Sequence, residues 1–200
     1  LCCSQIWEHK GNPAGQRLTA NRTIESFYKW SGGGRIPIFC DTTSCTHTLL
    51  FETGGDILTP ENREKYKQLK IMDITQWLKE VVLPRIKVIR PKNRILLHPT
   101  CSCQIMGLTP VVLDIARKCA REVILPDNWG CCGASGDRGF IFPELSDSAT
   151  RDERDEIGHE SFDGCYSLAR TCEIAMQDHI EQPYESIVYL VDETIQDQGT

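Results

Sequence analysis

Arg94-Ile95-Leu96-Leu97-His98-Pro99-Thr100-Cys101 reads as a short strand that stops at a proline and delivers a cysteine just past its end. Its hydrophobicity is continuous rather than alternating, which marks a strand covered on both faces, as in a parallel sheet layered with helices. Downstream, Val111, Val112, Ile115, Ala116, Cys119 and Ala120 recur at helical spacing behind Pro110, a residue suited to a first turn. A second strand is predicted over residues 122–126, and a glycine-rich loop over 128–139 holds Cys131-Cys132. Further helices are predicted over about 143–157 and 167–180, with a last strand at 186–191. Upstream, Asn12-Pro13 predicts a helix cap, with the helix running to Trp30 and closed by Gly32-Gly33-Gly34. A short strand over 36–39 and a helical turn over 45–51 follow. Strands that alternate with helices predict an α/β fold with a mostly parallel sheet and flanking helices.

Residues 60–93 read as connector helices, a charged one over 61–69 and another carrying Trp77, Leu78, Val81 and Val82, with a short strand at Ile71-Met72 between them, so the chain divides into 1–59, 60–93 and 94–200. The charged run 151–156 reads as a solvated helix face. The opening Leu1, set directly against Cys2-Cys3, reads as the start of a fragment of something longer.

The 200 residues carry 22 basic and 28 acidic side chains, a formal charge of −6, which argues against a nucleic-acid binder. No apolar run reaches the length of a membrane-spanning helix. Eleven cysteines set the chemistry. A disulfide framework suits an odd count and two adjacent pairs poorly. Core packing explains some of them: Cys119 lies on an apolar helical stripe, and Cys40 at a strand end reads the same way. Thiolate ligation explains the clusters, because several thiolates brought together need a cation or cluster to neutralise them. Zinc knuckles prefer Cys-x-x-Cys, which is absent here, so the spacing favours iron–sulfur over zinc.

The two pairs also suggest an internal repeat. Forty-one residues separate Cys3 from Cys45, and 39 separate Cys132 from Cys172. Each interval opens with a pair and a helix, then returns to a lone cysteine. The second unit has Cys101 in addition, 29 residues before Cys131. Two half-domains, the first truncated, account for the pattern. Cys101, Cys131, Cys132 and Cys172 are the leading candidate ligands, with Cys2, Cys3 and Cys45 next and Cys103 and Cys165 in reserve. His98, at a strand end, reads as a support to the centre rather than a ligand. Gly133, Gly136 and Gly139 would let backbone N–H groups approach the sulfurs.

Those residues carry a resemblance. Cys131-Cys132-Gly133 with Cys101 before it and Cys172 after it resembles the cysteine-rich CCG domain of heterodisulfide reductase subunits and related iron–sulfur subunits. His98-Pro99-Thr100-Cys101-Ser102, the run from Cys131 to Phe140, Pro143-Glu144-Leu145, Ala169-Arg170-Thr171-Cys172-Glu173 and Tyr184 with Ser186-Ile187-Val188 look like the C-terminal module of bacterial FAD- and iron–sulfur-dependent D-lactate dehydrogenases. Cys2-Cys3 with Lys10-Gly11, and Asp41 to Thr46, resemble the matching half-repeat. The resemblance implies a [4Fe–4S] cluster, with zinc as the alternative, on the cysteines named above. It implies an FAD domain upstream in the same polypeptide and a cytochrome or quinone as electron acceptor. It also implies a cytoplasmic location, with peripheral attachment to the inner membrane face as a variant. The rival functions are a zinc-stabilised structural or docking domain and a thiol–disulfide module. Two departures stand out: Ser4 replaces the glycine after the first pair, and no Cys-x-x-Cys completes the set at Cys172.

Overall fold

The computed structural model describes residues 1–196 and divides the chain into two compact units, Leu1–Ile74 and Thr75–Thr200. The first unit contains helices α1 (Gln5–His9) and α2 (Pro13–Trp30), strand β1 (Ile38–Cys40), helices α3 (Thr43–His47) and α4 (Pro60–Tyr66), and strand β2 (Ile71–Asp73). Asn12 caps α2 as its sequence suggests: its side chain accepts from the Gly15 N–H at 2.9 Å, and Pro13 occupies the first turn. β1 and β2 pair in parallel, with Ile38 opposite Ile71 and Cys40 opposite Asp73. Ala20, Ile24 and Leu58 form a small core, flanked by Tyr66 and Leu69. Residues 60–73 are therefore not a connector. β2 supplies the backbone partner that β1 needs, and α4 packs on α2, so the boundary falls at residue 74.

Helix α5 (Ile74–Trp77) straddles that boundary and continues as a wide turn, Leu78–Val82. The second unit then runs β3 (Lys87–Val88), β4 (Lys92–Leu97), α6 (Cys101–Ile105), α7 (Thr109–Cys119), β5 (Ala120–Ile124), α8 (Arg138–Ile141), α9 (Pro143–Ile157), β6 (Gly164–Ser167), α10 (Arg170–Ile180), β7 (Tyr184–Ser186), α11 (Ile187–Thr194) and β8 (Ile195–Gln196). Its sheet has the order β5-β4-β6-β7, with every pairing parallel. β4 sits between β5 and β6, and Ile95, Leu96 and Leu97 are fully buried. That explains the continuous apolar run. α7 packs with α11, and α9 with α10, which supplies the flanking helices. β3 and β8 form a separate antiparallel ribbon.

Two expectations are corrected. Residues 187–191 are helix, not strand. Ser186 caps them by accepting from Val188 N–H, and the buried positions Ile187, Leu190, Val191 and Thr194 follow helical spacing. The strand β6 carries no alternation and no β-branched residue, so its sequence does not announce a strand. Its place between β4 and β7 makes it a strand.

Candidate metal centre

The three neighbouring strands β5, β4 and β6 run parallel, so their carboxyl ends lie at one edge of the sheet. Open α/β sheets bind ligands outside those ends, near the point where connections diverge to either side. β4 leads through Pro99 and Thr100 to Cys101 at the start of α6, where the Thr100 hydroxyl accepts from Cys103 N–H at 3.2 Å. β5 leads to the loop with Cys131 and Cys132. β6 leads to α10, whose first turn holds Cys172.

The four sulfurs meet. Cys132 donates to the Cys172 sulfur at 2.9 Å. Cys101 and Cys132 both hydrogen-bond to Cys131, which holds the Cys131 thiol well below its usual range as a thiolate. The same bonds, with burial, push the Cys101 thiol up, and Cys132 rises through its bonds to Cys131 and Cys172. The four thiols thus bias one another, Cys131 downward and Cys101 and Cys132 upward. Thiolates gathered this closely repel one another, and a cation or cluster relieves that repulsion. Cys101 and Cys131 are exposed, while Cys132 and Cys172 are buried against Leu96, Ala134, Ala175 and Met176.

Glycine shapes the loop. Gly133 has φ 73° and donates its N–H to the Cys131 sulfur at 3.4 Å. A Cβ there would come within 2.6 Å of Leu145 O and Ser146 Cα, so only glycine lets the loop lie on α9. Gly139 is equally confined, its notional Cβ 2.4 Å from Ser146 Oγ. Gly136 contributes a further left-handed turn, φ 74°.

The first unit repeats the theme with different members. Cys45 hydrogen-bonds both Cys3 and Cys40, lowering each of those thiols to about 7 while its own rises. Cys40 therefore belongs to the cluster and is not a core residue. It is half-buried at the end of β1, and nothing in the run Ile38-Phe39-Cys40 distinguishes a ligand position from a packing one. Cys2 presents its sulfur to the Ser4 N–H at 3.4 Å, and Thr23 of α2 donates to Cys2 O at 2.8 Å. Cys119 is fully buried, its thiol pushed up by burial, as the helical stripe implied. Cys165 is likewise a core thiol, raised by burial to about 12. Cys103 is buried, with its sulfur 3.9 Å from the Thr109 hydroxyl.

His98 is fully buried. Its Nδ1 lies 2.9 and 3.1 Å from the two carboxylate oxygens of Glu153. Glu153 corrects the reading of 151–156 as a solvated face. It is 2% exposed and shares one stripe of α9 with Ser146, Thr150 and Ile157, a spacing that was legible in the sequence.

Among the described residues, no group of three or more His, Cys, Asp or Glu side chains is placed to hold a metal ion as it stands. The fit lies instead in the chemistry: four convergent sulfurs, a glycine-lined loop donating N–H to sulfur, and a buried imidazole nitrogen without a protein partner. Among the described residues, no helix is long and apolar enough to cross a membrane. The chain matches no family model and no curated protein.

Proposed function

We propose that the chain is an iron–sulfur electron-transfer module of a flavin-dependent D-2-hydroxy acid dehydrogenase of the D-lactate type. It would take electrons from an FAD domain upstream in the same polypeptide and pass them toward a cytochrome or quinone, in the cytoplasm or at the inner face of the membrane. One observation carries this reading: Cys101, Cys131, Cys132 and Cys172 bring four sulfurs together from three adjacent strand ends. Those residues would hold a [4Fe–4S] cluster, which supplies one-electron chemistry when bound. The protein's own part is to bias the Cys131 thiol downward, to aim the Gly133 N–H at its sulfur, and to shield Cys132 and Cys172 from solvent. Cys3, Cys40 and Cys45 offer a second, smaller sulfur set.

The 2.9 Å contact between Cys132 and Cys172 favours a second reading, thiol–disulfide exchange. There the two thiols would close to a disulfide, losing two electrons and two protons to a disulfide substrate that leaves as two thiols. Anaerobic purification separates the readings. A brown chain with iron and acid-labile sulfide supports the first, and colourless protein with stoichiometric zinc makes the domain structural instead. Metal-free protein that reduces a disulfide supports the second. Cys132→Ser should abolish iron retention. Cys119→Ser should keep the iron and lower the stability, because a hydroxyl replaces a thiol at a fully buried position. Equal iron in both variants would sink the ligand assignment.

A further inference from the structure

Every other part of His98 is accounted for, which makes the remaining nitrogen informative. Its backbone N–H donates to Tyr166 O at 2.9 Å, and its carbonyl accepts from Ser167 Oγ at 2.9 Å, fixing the residue at the end of β4. A carboxylate can only accept, so Nδ1, facing both Glu153 oxygens, carries the proton. Tyr184 packs edge-on against the ring, centroids 6.5 Å apart and planes at 89°, which fixes its tilt. Nε2 is left buried with no hydrogen-bond partner.

An orphaned buried nitrogen costs about 1–3 kcal/mol, and a buried carboxylate costs more unless it is paired. A His–Glu strut that served packing alone would not need a bare Nε2. A carboxylate on one ring nitrogen with the other free is how proteins prepare imidazole to bind a metal: the acidic partner fixes the tautomer and raises basicity. The residue stands at the end of β4, three positions before Cys101 and at the same sheet edge where the sulfurs converge.

We propose that His98 is itself a ligand, its Nε2 coordinating one iron of the centre in place of one sulfur of the set Cys101, Cys131, Cys132 and Cys172, with Glu153 as its positioning residue. This rests on the iron–sulfur reading above and changes its ligand set from all-sulfur to mixed sulfur and nitrogen. Histidine in place of cysteine raises a cluster's potential, so the substitution tunes the module as an electron acceptor.

The test uses the full chain, reconstituted without oxygen from ferrous iron and sulfide. Mössbauer spectra of the wild type should resolve one iron subsite distinct from the sulfur-ligated irons. In His98→Cys that subsite should become like the others and the reduction potential should fall. Superimposable spectra for wild type and His98→Cys overturn the inference and leave the iron–sulfur reading standing. A wild-type chain with a single class of iron overturns it however the variants fold. A chain that forms no iron–sulfur centre at all overturns both.

Discussion

Ser4 and Gly133 follow the two cysteine pairs, and both adopt left-handed backbone, φ 82° and 73°. Each donates its N–H to the first sulfur of its pair at 3.4 Å. The local geometry is the same; the side chain is not. A non-glycine residue there costs about 1–2 kcal/mol. Ser4 precedes α1 without a side-chain capping bond, so its hydroxyl offsets none of that through capping. Ser4→Gly should therefore raise the denaturation midpoint, with a net gain below about 1 kcal/mol once the added freedom of the unfolded chain is subtracted. Gly133→Ala should do the opposite and cost about 3 kcal/mol, because left-handed strain adds to the collision with Leu145 and Ser146. Urea titration of the metal-free chain checks both signs. A Ser4→Gly variant less stable than wild type would show that the serine hydroxyl has work the backbone geometry does not reveal.

At the scale of elements, α9 organises the centre. One stripe carries Ser146 against the glycine loop and Glu153 beneath His98. The exposed face near its end carries Glu156, which accepts from the backbone N–H of Asn128 and Asp127 at 2.9 and 2.7 Å. These bonds pin the start of the cysteine loop to the helix. They hold the Glu156 carboxyl below its ordinary value of 4.5. A lowered folded value means stability that is fully present above 4.5 and is lost as pH falls through the folded value. Glu156→Gln should accordingly be less stable than wild type at neutral pH, and the gap should close well below 4.5; denaturation midpoints at the two pH values measure it. A gap that persists in acid would assign the effect to packing. The same helix shows the limit of reading by composition. Residues 151–156 are charged almost throughout, yet the period of the helix turns Glu153 inward. In α11 the reverse happened: five apolar residues in a row suit either period, and only the buried set Ile187, Leu190, Val191 and Thr194 distinguishes helix from strand.

Across the molecule, the two units echo one another from the cysteine pair onward. In each, a short helix precedes a longer one opened by proline, Pro13 in α2 and Pro143 in α9. A strand follows, ending at Cys40 or Ser167, and a cysteine-bearing helix starts three residues later with Cys45 or Cys172 in its first turn. That strand then pairs in parallel with the next, β1 with β2 and β6 with β7. The sulfur sets differ: Cys40 joins the first, where the second has Ser167. One sulfur set in each unit predicts metal that is lost in parts. On reconstitution, Cys45→Ser should lose part of the bound iron and leave the remainder with the spectrum of the second unit, whereas Cys132→Ser should lose the complementary part. Total loss in either variant would overturn the assignment of a centre to each unit.

The alternation of strands and helices, the caps, the twin cysteine pairs and their returning partners were all legible in the chain, because each depends on neighbours a few residues apart. Tertiary structure alone decided that Cys40 joins Cys3 and Cys45, that residues 164–167 complete the sheet, and that Glu153 meets His98 across 55 positions. Those pairings follow from the order of strands in the sheet and the crossing of helices over it, and a local pattern of hydrophobicity does not encode either.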